Sequence, residues 1–418
     1  MPPPFRVDHI GSLIRPQYLV NARKPFNQVD KSFENYGPGG KEQAEARVNE
    51  SEKRAIADVI AEQLERGVEP ITSGEFERSL FCDGFFESLE GIETKFLNWE
   101  PWRKDVPANR PLIKWGLKGR TACIATAPVR WTRSAYLDDW LYVRSLLPED
   151  KWKDVKYTLP SPTWYQVQLR DGSAYERGIY ESDEEYLKDI AVAMRQEIMT
   201  LYDAGLRLIQ IDDPNMTFFC DPDFIAQSEQ DGLDVTSLVD LYMRTFNIVL
   251  DALPPDLTVA IHLCRGNYTQ GVYLNSGGYE NIANKLFNSS NFKQYYLEFD
   301  SERAGDFTPL RHLPSGKAVV LGVVTTKYAE MEPLDQVKAK VLQAADEIAS
   351  AQGRTQRQVL DDSLAISPQC GFSSSEQGTG VRMTEEIQWR KLELLRMVAK
   401  ELWPAGFVDG ESLPARNS

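Results

Sequence analysis

Short apolar runs recur along the chain, separated by amphipathic stretches. From the N-terminus they are HIGSL, PITSGEF, VKYTL, LRLIQID, TVAIHLC, YYLEF, AVVLGVV and LAISPQC. Buried parallel strands have this near-continuous apolar character because helices cover their outer face. The segments between them carry the 3.6-residue period of helices. Lys41 to Arg66 is one, with Ala57, Val59, Ile60 and Leu64 recurring before Gly67. The others are Ser134 to Leu147, Glu184 to Ala204, Ser237 to Leu253, Gly278 to Phe287, Leu334 to Ser350 and the closing Thr384 to Trp403. Eight strands, most of them separated by helices, predict an α/β fold of the (β/α)8 TIM-barrel type. An open doubly wound sheet is the runner-up, but no strand is followed by its Gly-rich phosphate fingerprint.

The segment from Phe81 to Val129 breaks the alternation. It is rich in aromatics, Gly and Pro, and its weak periodicity predicts an insertion in the N-terminal half, built as a hairpin or irregular structure. A length of 418 residues admits two or three domains, or a single barrel with an insertion. The regular alternation and the lack of a low-complexity linker favour one domain over 1–418.

Composition narrows the partners. The formal charge of -15 repels phosphate backbones and anionic lipid, which argues against nucleic acid. The start MPPPFRVDHIGSLIRP lacks the apolar core of a signal peptide, and no run approaches the 18 or so apolar residues of a membrane span. A cytoplasmic protein without a membrane partner is expected. Five Cys are too few and too scattered for a disulfide scaffold, so each must be packing, ligand or nucleophile.

Polar residues gather at one end of the predicted strands: His9, Ser12, Glu75, Asp212, Asp213, His262, Cys264, Glu298, Thr326, Lys327 and Cys370. In a barrel this end is the C-terminal mouth, where active sites lie. The sharpest set is His262-Leu-Cys264, Glu298 at the next strand end and Cys370 two strands on. Residues i and i+2 of a strand face the same side, so the imidazole and the thiol converge. Two thiolates, an imidazole and a carboxylate suit Zn2+ in a tetrahedral site. The bland alternative packs Cys264 and Cys370 as small hydrophobes. A four-ligand zinc can also be structural, but ligands drawn from three distant loops at a barrel mouth favour an exchangeable site with Glu298 as the ligand that yields. Such a metal would hold a substrate thiol as thiolate, ready to attack an alkyl group.

Around this set, Glu75 and Asp212 suit an ammonium group, while Asp213 either assists or orients a turn through an Asx bond. The N–H groups of Gly11 and Ser12 either bind a carboxylate or belong to a plain strand-to-loop turn. Lys327 binds an anion or a leaving group, or forms a salt bridge. Cys82, Cys123 and Cys220 lack partners at ligand spacing and are read as packing residues.

HIGSLIRP at 9–16, SGEFERS at 73–79, IQIDDP at 209–214, HLCRGN at 262–267, LEFD at 297–300 and SPQCGF at 367–372 occur in the order found in one family. Together they resemble the catalytic barrel of the cobalamin-independent methionine synthases. The resemblance implies zinc-dependent transfer of a methyl group to the thiol of homocysteine, with small-molecule thiol and methyl donor as partners. By position it implies His262, Cys264, Glu298 and Cys370 as metal ligands, and Ile10, Gly11, Ser12, Glu75 and Asp212 as binders of the amino-acid part. It draws Glu298, Asp212 and Lys327 into the reaction itself.

Two departures bear on the donor. Full-length family members carry a second barrel that helps hold a folate polyglutamate, and this chain has room for one. Their D-x-H-S-P segment after the seventh strand reads TTKYAEMEP here, with Thr326 and Lys327 but no His. Single-barrel relatives include enzymes that take alkyl groups from corrinoid proteins or epoxides, so a zinc-dependent S-alkyltransferase with a non-folate donor is the alternative. A metal-free porphyrin-type decarboxylase would need an Arg-lined cleft and would leave the His, Cys, Glu set without purpose. A non-catalytic binding protein would keep the ligands only for folding.

Overall fold

The computed structural model describes residues 2–26, 40–170, 172–267, 272–373 and 381–404. An antiparallel hairpin of β1 (Glu90–Asn98) and β2 (Gly119–Arg130) precedes a six-stranded parallel sheet. The sheet comprises β3 (Lys156–Pro160), β4 (Leu208–Asp213), β5 (Thr258–Leu263), β6 (Gln294–Glu298), β7 (Ala318–Val324) and β8 (Leu364–Pro368), each strand paired with the next in sequence. Every residue of β3, β4, β6, β7 and β8 is buried. Helices lie over the outer face, which is why β7, AVVLGVV, reads as an unbroken apolar run.

The first two of the eight strands expected from the sequence are not ladder strands. Val7 bridges Ile366 beside β8, and Ile71 bridges Val155 beside β3. Asp8 N donates to Ile366 O at 2.9 Å, and Lys156 N donates to Ile71 O at 2.9 Å. The two segments also meet each other: Leu13 N donates to Gly74 O at 3.1 Å, and Thr72 Oγ1 donates to Gly11 O at 2.8 Å. Positive φ at Gly11, Gly74 and Glu75 bends both chains out of the extended region before a longer ladder can form. The result is a parallel sheet flanked by helices, consistent with a (β/α)-barrel-like domain.

The periodic segments form helices within a few residues of their expected ends, among them Gly40–Arg66, Asp183–Asp203, Val235–Leu250, Leu334–Gln352 and Glu385–Leu402. Ser182 caps the second of these by accepting from Glu185 N at 3.3 Å. That helix buries Leu187, Ile190, Ala191, Met194, Ile198 and Leu201 on one face. Among the helices absent from the sequence reading, Pro222–Gln230 and Gln356–Ser363 are too short to establish a period. Their caps announce them instead: Asp221 before Pro222, and a Thr355/Gln358 capping box. Between β1 and β2 the aromatic-rich segment forms the hairpin that was one of its two expected outcomes. Among the described residues no helix is long and apolar enough to cross a membrane.

The large apolar core lies between sheet and helices. A second, small cluster of Ile10, Ala260, Tyr296, Val320 and Ala365 lies on the other face of the sheet. Its neighbours there are polar: Asp8, Lys156, Gln210 and Gln294 are buried below the strand ends that carry the candidate site.

Candidate metal centre

The end of β5 and the loop that follows place His262 and Cys264 side by side. Glu298 closes β6, and Cys370 stands two residues past β8. One ligand atom from each of these four residues lies within 4.8 Å of the others. The two sulfurs are 3.4 Å apart. Two zinc–sulfur bonds at a tetrahedral angle would separate them by roughly 3.8 Å, so a small adjustment fits a metal between them. His262 Nδ1 faces the Tyr296 carbonyl at 3.3 Å, which can only accept, so this nitrogen carries the proton. Nε2 is buried without a hydrogen-bond partner, and the imidazole lies close enough to Cys370 to interact with it, as a ligand pair requires. Cys370 is seated by the close approach of the next residue to the first chain segment: a Cβ on Gly371 would lie 1.9 Å from Ser12 Oγ.

The four groups divide protons among themselves. Burial pulls the His262 imidazole down, but Cys370, Asp212 and Glu298 outweigh it and push it up to about 9. The bond between the sulfurs raises Cys264 well above the usual thiol range and lowers Cys370 well below it. Burial raises Glu298. Both of its oxygens are held: Oε1 accepts from Arg265 N at 2.9 Å, and Oε2 accepts from Arg303 Nη2 at 2.6 Å. A divalent cation would take the place of the shared protons, so the donor set fits a metal of zinc's chemistry.

A cavity of about 110 Å³ opens onto this cluster, lined in part by Ile10, Ser12, Glu75, Asp212, His262, Cys264 and Cys370. Leu80, Phe81, Trp164 and Leu274 supply its apolar cover. Glu75 is a non-glycine residue at φ 59°, a strained conformation of the kind held at functional sites. Its Oε1 accepts from Thr158 Oγ1 at 2.8 Å, with Arg78 Nη2 3.9 Å away, while Oε2 is buried without a hydrogen-bond partner. Asp212 Oδ1 accepts from Gln210 Nε2 at 2.7 Å. Burial raises both carboxyls above their ordinary range, Asp212 to about 7, where His262 draws it down and Glu75 adds to the rise. Gly11 lies behind this wall: its φ is +134°, and a Cβ there would meet Thr158 Cγ2 at 2.6 Å and Glu75 Oε1 at 3.2 Å.

Other sequence candidates fall elsewhere. Asp213 takes the turn-orienting option: Oδ1 accepts from Met216 N at 2.7 Å, and Oδ2 accepts from the Ser161 and Thr163 hydroxyls. Among the described residues Lys327 forms no salt bridge, the second of its two sequence options, and it does not line the small cavity. Its Nζ donates to Gly266 O at 2.8 Å and Asn267 Oδ1 at 3.0 Å, and it lines a separate, larger cavity of about 1070 Å³ with Arg303, Tyr273 and Tyr328. Thr326 is buried and hydrogen-bonds Gln369 and Gly371. Cys82, Cys123 and Cys220 are buried in the apolar core, outside the cluster. Sequence reasoning missed Arg303, Gln210 and Trp164. The first stands five residues after Glu298, the second two before Asp212 on the same strand face, a spacing that was available as a signal.

The family described as cobalamin-independent synthase, catalytic domain, matches residues 173–400. YxjH, an uncharacterized protein of Bacillus subtilis (strain 168), is 31% identical over 401 residues, covering 96% of this chain and 95% of that one. A methionine synthase of Pyrococcus abyssi is 23% identical over 402 residues, covering 96% and 95%. A solved structure of a B12-independent methionine synthase from Shewanella sp. W3-18-1, in complex with selenomethionine, is 18% identical. It superposes with a TM-score of 0.63 over 96% of this chain and 98% of that one, a likeness of fold.

Proposed function

The chain belongs to the cobalamin-independent methionine synthase family, and on that footing we propose that it is a zinc-dependent methyltransferase whose acceptor thiol is homocysteine, giving methionine. One observation carries this: a single small cavity brings three of the four ligand candidates together with Glu75 and Asp212. A metal pole at one end and a carboxylate pole at the other match a short thiol that carries an ammonium group. The Pyrococcus methionine synthase, similar over nearly its whole length, supports methionine formation on a chain of this size.

In this proposal His262, Cys264, Glu298 and Cys370 would hold zinc, which would supply a Lewis acid able to keep a substrate sulfur as thiolate at neutral pH. Glu75 and Asp212 lose their protons to pair with the ammonium group, recovering part of the cost of burying two carboxylates. Ile10 and Ser12 flank the amino-acid part, with Gly11 giving the chain its turn behind them. Phe81 and Trp164, in edge contact at 5.1 Å, exclude water above the sulfur. Arg303 and the Arg265 N–H hold the Glu298 carboxylate whenever it is not a ligand. Lys327 stands on the side of the larger cavity, where its charge would steady a leaving group as the donor loses its methyl. We also read the sheet and its two bridged segments as a closed (β/α)8 barrel, one domain over 1–418 with 81–129 as an insertion.

The test is X-ray absorption at the zinc edge with and without L-homocysteine, followed by methionine detection with a 5-methyltetrahydrofolate, a methylcorrinoid and an epoxide donor in turn. One additional sulfur neighbour on adding the thiol, and methionine from one methyl donor, are expected. An unchanged shell with no product from any donor would overturn the proposal; S-alkylated homocysteine from the epoxide alone would select the alkyltransferase alternative.

A further inference from the structure

Below the candidate site, on the sheet face that carries the small cluster, a chain of buried polar groups ends at two of the residues assigned to the acceptor. Tyr296 Oη donates to Asp8 Oδ2 at 2.7 Å, and Asp8 Oδ1 accepts from Lys156 Nζ at 2.6 Å. Lys156 Nζ also donates to the His9 carbonyl and, at 2.8 Å, to Gln210 Oε1. Gln210 Nε2 in turn donates to Ile10 O and to Asp212 Oδ1, both at 2.7 Å. Gln210 and Asp212 are i and i+2 on β4, so they share a face.

The orientation of the Gln210 amide is dictated by its surroundings. An ammonium group can only donate and a peptide carbonyl can only accept. Turning the amide over would set its N–H groups against Lys156 and its oxygen against both Ile10 O and the Asp212 carboxylate. Lys156 therefore fixes which edge of Gln210 faces the site, and Gln210 ties the Ile10 peptide to Asp212. The chain meets a metal-ligand candidate where the Tyr296 carbonyl faces His262 Nδ1, at the end away from Gln210, whose side chain bonds Lys156, Ile10 O and Asp212 and so acts on the amino-acid end of the cavity.

We propose that Gln210 is the positioning residue for amino-acid recognition, and that Lys156, held by Asp8, sets the direction of its amide. The proposal rests on homocysteine as the acceptor. Its role is to hold Asp212 Oδ1 and the Ile10 peptide in one fixed geometry, leaving the other lone pairs of the carboxylate for the ammonium group of the acceptor. The selectivity for an amino-acid thiol over a simple alkyl thiol follows from this arrangement.

The experiment uses the full chain loaded with cobalt(II), titrated with L-homocysteine and separately with 1-propanethiol, following the sulfur-to-cobalt charge-transfer band. Gln210→Glu keeps the bond to Lys156 but turns acceptors toward Ile10 O and Asp212. Gln210→Met keeps the length and removes the donors without adding repulsion. For homocysteine, half-saturation is expected to rise roughly tenfold or more in Gln210→Glu and about threefold in Gln210→Met, because a buried acceptor loses its donor. Half-saturation for propanethiol and the band at saturation should match the wild type. Equal homocysteine affinity in wild type and both variants would overturn the role of Gln210 alone, as would an equal loss for both thiols. A wild type that binds homocysteine no better than propanethiol would overturn the acceptor assignment and this inference with it. Should Gln210→Glu fail to fold, Gln210→Met reads the same difference between the two thiols.

Discussion

Two buried polar clusters share the inside of the sheet, a few residues apart along the same strands, and they are built on opposite rules. On the floor, Asp8, Lys156, Gln210, Tyr296 and Gln294 satisfy one another; none of them has a buried atom without a partner. At the mouth, Glu75 Oε2 and His262 Nε2 are buried with unmet bonding capacity, and two sulfurs, three acids and an imidazole crowd together. Native interiors satisfy nearly all their buried polar groups, so the exceptions need an explanation, and a ligand supplies one. These five floor side chains are scaffold because their bonds are complete; the mouth is a candidate site because its bonds are not.

This contrast can be broken by experiment. The largest effect is expected on the floor: Lys156→Met leaves Asp8 buried without its cation and should cost about 3–5 kcal/mol of folding stability. Urea unfolding measures it, and a loss below about 1 kcal/mol would show that the floor pair is dispensable. At the mouth, Cys370→Ser should leave folding stability of the metal-free protein little changed while weakening zinc binding on the order of 100-fold or more, read by chelator competition. Retained zinc affinity would remove Cys370 from the ligand set.

Glu75→Gln should weaken homocysteine binding about tenfold by isothermal calorimetry, with zinc content unchanged. A drop in zinc content equal to the drop in affinity would move Glu75 from acceptor to metal. The smallest effect concerns pH. Burial first and then Lys156 depress the His9 imidazole to about 4, so the folded protein refuses a proton that the unfolded chain takes up near 6.5. Between these values the unfolded state binds more protons, and stability falls as pH falls. Relative to His9→Gln, the wild type should lose about 1 kcal/mol by pH 5.5, measured by urea unfolding at each pH. The difference between the two proteins is the readout because Asp139 and Asp212, both raised to about 7, push stability the other way.

The parts of the fold legible in the sequence are those governed by local periodicity. β7, AVVLGVV, is buried at every position, and its apolar run could be read directly. The Asp183–Asp203 helix announced itself by its period, with Ser182 as its cap. HIGSL and PITSGEF are much less apolar and count as strands for their place in the alternation; only Val7, just before the first, and Ile71 in the second make single bridges, since backbone turns at Gly11, Gly74 and Glu75 end the pairing. In the candidate site, His262 and Cys264 were legible because two residues on one strand share a face. Arg303 was not, because its bond to Glu298 depends on where the loop after β6 returns.

The sequence by itself determined which side chains could bind a metal and at which strand ends they stand, because strand period and chain order translate spacing into direction. Only the tertiary structure decided that Asp213 braces a turn while its neighbour Asp212 faces the cavity, and that Lys327 belongs to the larger cavity. It alone made Gln210 the link between Lys156 and Asp212. The physical reason is that a hydrogen bond needs its partners within about 3 Å, and residues 54 or 200 positions apart in sequence, as Gln210 is from Lys156 and from Ile10, reach that distance only when the sheet brings them together.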